Sequence, residues 1–200
     1  MMRFRPYHVQ IIGDLILPLL GFFWWNWPLY FIVFFYLLDY LSTEITMYFK
    51  SGKISYHMFV NRDLQFTKFA ISLALLCCAL GLTFLAVKSI VPNISLSAAF
   101  IRFLAYKDMG FAQGYILIPL VGFIAYQRYK MNFIAGKIYE TVSFNSIWNS
   151  HFRLHLLVIA GAGLAFGLSL IFHLPDWFYV ISLVFFSALL QLSVLKSREF

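Results

Sequence analysis

Residues 13–44 read GDLILPLLGFFWWNWPLYFIVFFYLLDYLSTE. The run divides into two apolar helices joined by a short aromatic turn at Asn26, Trp27 and Pro28. It holds Asp14, Asp39 and Glu44, three of the eight acids in the chain, and contains neither Lys nor Arg. An ionised carboxylate in hydrocarbon costs several kcal/mol, so each of these acids must be paired, hydrogen-bonded, hydrated or protonated.

The rest of the composition agrees with a membrane reading. The chain is 62% apolar and 12% charged, with mean hydropathy +0.82. Soluble domains carry about 25% charged residues. Twenty-four Phe, twelve Tyr and five Trp supply rings for headgroup level and for packing between helices. The net charge of +7 is spread over segments that flank apolar runs, which fits a membrane surface better than nucleic acid. Cys77 and Cys78 are neighbours inside an apolar run and have no metal-ligand spacing around them, so they read as two small hydrophobes. The opening MMRFRPYH precedes a helix with no small-residue cleavage site, and an uncleaved first helix is expected.

Hydropathy predicts an all-α integral membrane protein in one domain, a bundle of six transmembrane helices at about 9–24, 29–49, 69–91, 111–126, 155–174 and 177–195. Short interfacial helices are expected in the loops, at 95–107 and around 137–148. Polar connections are expected from Lys50 to Lys68 and from Gln127 to Ser150. With six crossings both termini lie on one side, and that side collects twelve of the fifteen cations. The positive-inside rule makes it cytoplasmic, in a cell membrane. Gly110 with Gly114, and Gly163 with Gly167, have the small-xxx-small spacing that lets helix backbones approach closely.

On the second helix, Tyr36, Asp39, Tyr40 and Thr43 fall within about 100° of arc, which Glu44 widens to about 140°. This polar stripe should turn away from lipid. Asp14 and Asp39 are each about ten residues from the aromatic turn and so lie at similar depth. Glu44 is deeper, towards the cytoplasmic side, within reach of His151, Arg153 and His155 at the start of the fifth helix. His151 and His155 stand at i and i+4 on one helix face, a spacing that suits a metal or an ion pair. HFRLH lacks the glutamate of a metalloprotease motif. No catalytic residue is assigned, since no nucleophile elbow, phosphate-binding glycine loop or dinucleotide fingerprint occurs.

The two ends of the chain resemble an uncharacterised bacterial family of multi-pass membrane proteins, known only as a domain of unknown function. The likeness rests on LPLLGFFWWNWPLYFIVFFYLLDY and on RLHLLVIAGAGLAFG with its following helix. Pro18, Leu19, Gly21, Tyr36, Asp39 and His155 are the matching positions. The family's aromatic-x-Glu-Asn is replaced by Leu37, Leu38, Asp39 and Tyr40. The resemblance implies the topology and no reaction.

Three functions follow as expectations. The first is a structural or assembly subunit of a membrane complex, with lipid and a second copy or another membrane protein as partners. The second is a small transporter or proton-conducting protein working through Asp14, Asp39 and Glu44. The third is a membrane metalloenzyme with a His/carboxylate site. No organic cofactor is expected.

Overall fold

The structure is a computed structural model that describes residues 6–105, 113–172 and 174–196, with side chains for 15–105, 114–172 and 174–190. The described residues form helices and no strand. They comprise α1 (Pro6–Trp24), α2 (Leu29–Met58), α3 (Arg62–Ile90), α4 (Leu96–Leu104), α5 (Gln113–Arg128), a π-helical stretch (Tyr129–Ile134), α6 (Ile138–Thr141), α7 (Phe144–Ile171) and α8 (Asp176–Lys196). Three of these, α2, α3 and α7, are long and apolar enough to cross a membrane. At 1.5 Å per residue each measures roughly 45 Å, more than the hydrocarbon thickness of about 30 Å.

The α1–α2 turn is built on Gly21. The backbone N–H of Trp27 donates to the Gly21 carbonyl at 2.9 Å, and Asn26 takes a positive φ of 50° to reverse the chain. The Trp27 indole then lies flat on Gly21, where an added Cβ would come within 2.1 Å of the ring. Only glycine leaves room for that ring.

The polar loop expected from Lys50 to Lys68 is largely helical. α2 continues to Met58 and α3 begins at Arg62, so the connection shrinks to Phe59, Val60 and Asn61. Charge alone does not end a helix, and between Lys50 and Met58 nothing breaks one except Gly52. Ser51, Ile54 and Ser55 are buried and hold this extension against the rest of the protein. Phe59 closes α2 in the left-handed region, and Asn61 caps α3 by accepting from the Asp63 N–H. The second expected connection shortens in the same way. α5 passes into the π-helical stretch, and α7 begins at Phe144, capped by Ser143, eleven residues before the expected span.

α2 is the hub, touching every other element. α3 and α7 form the most extensive pair, and α1 packs on α8. Ser72 meets His155 and Ser89 meets Ser169, so α3 and α7 run parallel. Tyr40 meets His155 and Trp148 meets Ser51, so α2 runs antiparallel to α7. α5 starts beside the end of α4, where a Cβ on Gly114 would sit 2.3 Å from the Phe103 carbonyl oxygen. Phe103 itself packs on Phe31 at the N-terminal end of α2. The π-helical stretch that follows α5 places Tyr129 against Phe49 and Phe133 under Lys50, towards the other end of α2.

Two apolar cores result. One gathers Trp27, Phe31, Ile32, Phe34, Leu37, Ala79, Phe103 and Val180. The other gathers Met47, Ile54, Phe133, Phe144 and Trp148. Lys50, Lys53 and Lys68 place their ammonium groups over Phe133, Tyr139 and Phe152 around the second core.

Candidate functional site

Between the two cores lies a polar layer contributed by three helices. Tyr40 belongs to the first core and Met47 to the second, and Glu44 stands between them on α2. On α7 the corresponding positions are His151 and His155, one turn apart, with ring centroids 4.5 Å apart. α3 adds Ser72. Glu44, His151, His155 and Ser72 are 2%, 6%, 0% and 0% exposed, so the charge and the polar atoms have no solvent to turn to.

Their bonds satisfy one another. His151 Nε2 lies 2.6 Å from Glu44 Oε2, and His155 Nε2 lies 3.1 Å from the same oxygen. The Ser72 hydroxyl donates to Glu44 Oε1 at 2.7 Å and sits 2.9 Å from His155 Nε2. The Tyr40 hydroxyl bonds His155 Nδ1. Ser72 has one proton and gives it to Glu44, so towards His155 it acts as an acceptor and Nε2 carries the ring proton. Nδ1 is then the acceptor of the Tyr40 O–H. One assignment of protons serves the whole layer. The Tyr48 hydroxyl, one turn along α2, is buried close to Glu44 and Ser72, and no atom among the described residues meets it at full hydrogen-bond geometry. Below the layer, the Trp148 indole N–H donates to Ser51 Oγ at 3.1 Å.

Of the residues singled out in the sequence, the structure brings together Tyr40, Glu44, His151 and His155. Arg153, between the two histidines in sequence, is exposed. The ion pairs within 4 Å among the described residues are both between Glu44 and a histidine. Thr43 bonds back to the Asp39 carbonyl at 3.0 Å. Asp39 and Tyr36 are half-buried on α2 outside this layer. The side chain of Asp14, and Gly110, lie outside the described residues. Gly114 makes the backbone approach to α4 already described. Among the described residues nothing lies within 4 Å of a Cβ on Gly163 or Gly167, whereas one on Gly161 would meet Phe186 of α8 at 2.7 Å. Cys77 and Cys78 are exposed on α3.

Sequence reasoning passed over Ser72, Ser51 and Tyr48. Ser72 stands in the apolar run FAISLALLCC, where a lone serine has no distinguishing period. Tyr48, inside the expected span 29–49, and Ser51, beyond it, continue the α2 stripe past Glu44 at helical spacing, and only Ser51 is hidden when the segment after Phe49 is read as a loop.

Comparison with protein-family models, with curated proteins and with solved structures finds no match to this chain.

Proposed function

We propose that the protein is a multi-pass membrane protein of six crossings with cytoplasmic termini, serving as a structural subunit of a membrane assembly. Its three long spans are pinned to one another by the Glu44 layer. The observation that carries this reading is the closure of the layer. Glu44, Ser72, His151, His155 and Tyr40 spend their hydrogen bonds on each other across α2, α3 and α7, and the layer is sealed by an apolar core on either side. In lipid, where helix association lacks a hydrophobic driving force, such bonds select one arrangement of the helices.

The helix directions support six crossings. Parallel α3 and α7 require the chain to return between them, and α5 runs the right way to do so. α1 and α8 are apolar over Leu15–Trp24 and Asp176–Leu190 and pack as a pair. The outward side of α7 supports an assembly role. Leu156, Leu157, Leu164 and Leu168 are exposed there, and the face at Gly163 and Gly167 is open.

Thermal unfolding in detergent tests the pin. Glu44→Ala and His155→Ala should each lower Tm by several degrees, and variants that melt like the parent would overturn the reading. Single cysteines at Lys53, Asn93 and Lys137, with Cys77 and Cys78 replaced by Ser, test the crossings. An impermeant thiol reagent outside the membrane should reach Asn93→Cys alone.

A further inference from the structure

We propose that Glu44, His151 and His155 form a binding site for a divalent first-row transition-metal ion of the zinc type, which ties α2 to α7 inside the membrane. The proposal rests on the reading of this layer as the pin of the bundle and adds an occupant to it.

Geometry comes first. One ligand-type atom from each of the three residues lies within 4.8 Å of the other two, and both histidines aim Nε2 at the same carboxylate oxygen. Tetrahedral zinc with bonds of 2.0–2.1 Å sets its donors about 3.3 Å apart. The His151–Glu44 separation of 2.6 Å must open by less than 1 Å to admit the ion, and the 3.1 Å of His155–Glu44 barely changes. The remaining His151–His155 edge lies within 4.8 Å and must come to the same donor spacing as the ion binds.

Protons come second. In the metal-free layer His155 carries its proton on Nε2. Moving it to Nδ1, and moving the Nε2 proton that His151 gives to Glu44 to the Nδ1 of that ring, frees both Nε2 lone pairs for the ion, and Tyr40 then turns its hydroxyl to accept from the His155 Nδ1–H. A hydroxyl can do either, so the contact that satisfies the empty layer also orients the ligand in the filled one, as second-shell partners of metal-bound histidines do. Two imidazoles and one carboxylate suit zinc, iron or manganese and are a poor set for magnesium or calcium.

The third observation is a tyrosine beside the ligands. The Tyr48 hydroxyl is buried close to Glu44 and Ser72, and no atom among the described residues meets it at full hydrogen-bond geometry. Buried polar groups are rarely left so. Three protein ligands leave a fourth position on a tetrahedral ion, and a water there would give the Tyr48 and Ser72 oxygens a shared partner.

The test uses full-length protein purified in detergent without a polyhistidine tag, stripped with chelator and reloaded with Zn²⁺ or Co²⁺. About one ion per chain should remain after gel filtration, with the visible absorption of tetrahedral Co²⁺. Tyr40→Phe should weaken binding about 10–100-fold. His151→Ala and His155→Ala should abolish it, with helicity checked by circular dichroism. Wild-type protein that is folded and holds less than a tenth of an ion per chain would overturn the proposal without recourse to any variant. So would retention of the ion by the double His→Ala variant. If wild type binds no metal while Glu44→Ala still melts early, the site falls and the pin stands. If Glu44→Ala melts like the parent, the pin itself falls.

Discussion

Ser72 on α3 donates its hydroxyl to Oε1 of Glu44 on α2 at 2.7 Å, joining the polar stripe of α2 to a helix that is apolar around the serine. The same oxygen of Ser72 faces His155 Nε2 on α7. One small side chain therefore closes the layer between three spans. Ser72→Ala removes a donor to the carboxylate and an acceptor for the imidazole, and the site is too enclosed for bulk water to replace them. The expected loss is about 1–2 kcal/mol, towards the upper end for hydrogen bonds between membrane helices. That corresponds to a Tm roughly 2–8 °C lower for a chain of this size. Thermal unfolding in detergent measures it, and an unchanged Tm would mean that the bond is idle.

Gly21 should tolerate nothing larger than hydrogen. Its Cβ position is 2.1 Å from the Trp27 ring, so Gly21→Val forces the indole off the helix and opens the turn. Overpacking of this kind costs about 1–3 kcal/mol. The pairing is reciprocal. Trp27→Ala, itself destabilising, should make Gly21→Val nearly harmless when the two are combined. A double-mutant cycle by thermal unfolding checks this, and strict additivity would place the strain elsewhere.

Much of the site was legible because a membrane span makes charge conspicuous. Glu44 stands out in an apolar run, and the His151/His155 spacing puts both rings on one face of a helix whatever surrounds it. Depth along the helices, counted in residues from the aromatic turn, puts Glu44 at the level of the two histidines. Arg153 looked equally able to meet the acid, yet its position two residues from each histidine turns it to the opposite face, where it is exposed. Helix ends were less legible. Lys50, Lys53, Arg62 and Lys68 read as loop because they are polar, whereas all four stand in helices and the three lysines place their ammonium groups over aromatic rings. The partner of a buried group is harder still to read. Ser72 acquires its role from α2 and α7, and nothing within α3 records them.

On α7 two glycines of similar sequence context should behave oppositely. A Cβ on Gly161 meets the Phe186 ring of α8 at 2.7 Å, while one on Gly163 meets nothing among the described residues. Gly161→Ala should destabilise the α7–α8 contact by about 1 kcal/mol or more, with relief in the Phe186→Ala background. Gly163→Ala should leave the monomer unchanged or slightly more stable, since Ala is the better helix former by about 1 kcal/mol. Monomer stability in detergent separates the two. Equal losses at both sites would show that the Gly163 face is packed within the monomer and would overturn the expectation.

The last prediction asks whether the polar layer is needed for the fold or only for its own consistency. Removing one member strands the others: Glu44→Leu leaves two imidazole N–H groups and the Ser72 hydroxyl without their acceptor in a sealed site. Breaking a buried pair this way costs about 3–5 kcal/mol in soluble proteins, and less where the unfolded chain in lipid finds other partners. Removing every member strands nothing. A chain with Glu44→Met, Ser72→Ala, His151→Leu, His155→Leu and Tyr40→Phe has side chains of similar volume and no polar atoms between its two apolar cores. It should regain most of the stability lost by Glu44→Leu alone, because the penalty of the single change is the unsatisfied remainder. Helicity and Tm of the two variants, compared in the same detergent, check this. A fivefold variant no more stable than the single one would show that the layer itself specifies the packing of α2, α3 and α7, and that apolar fit between the cores cannot replace it.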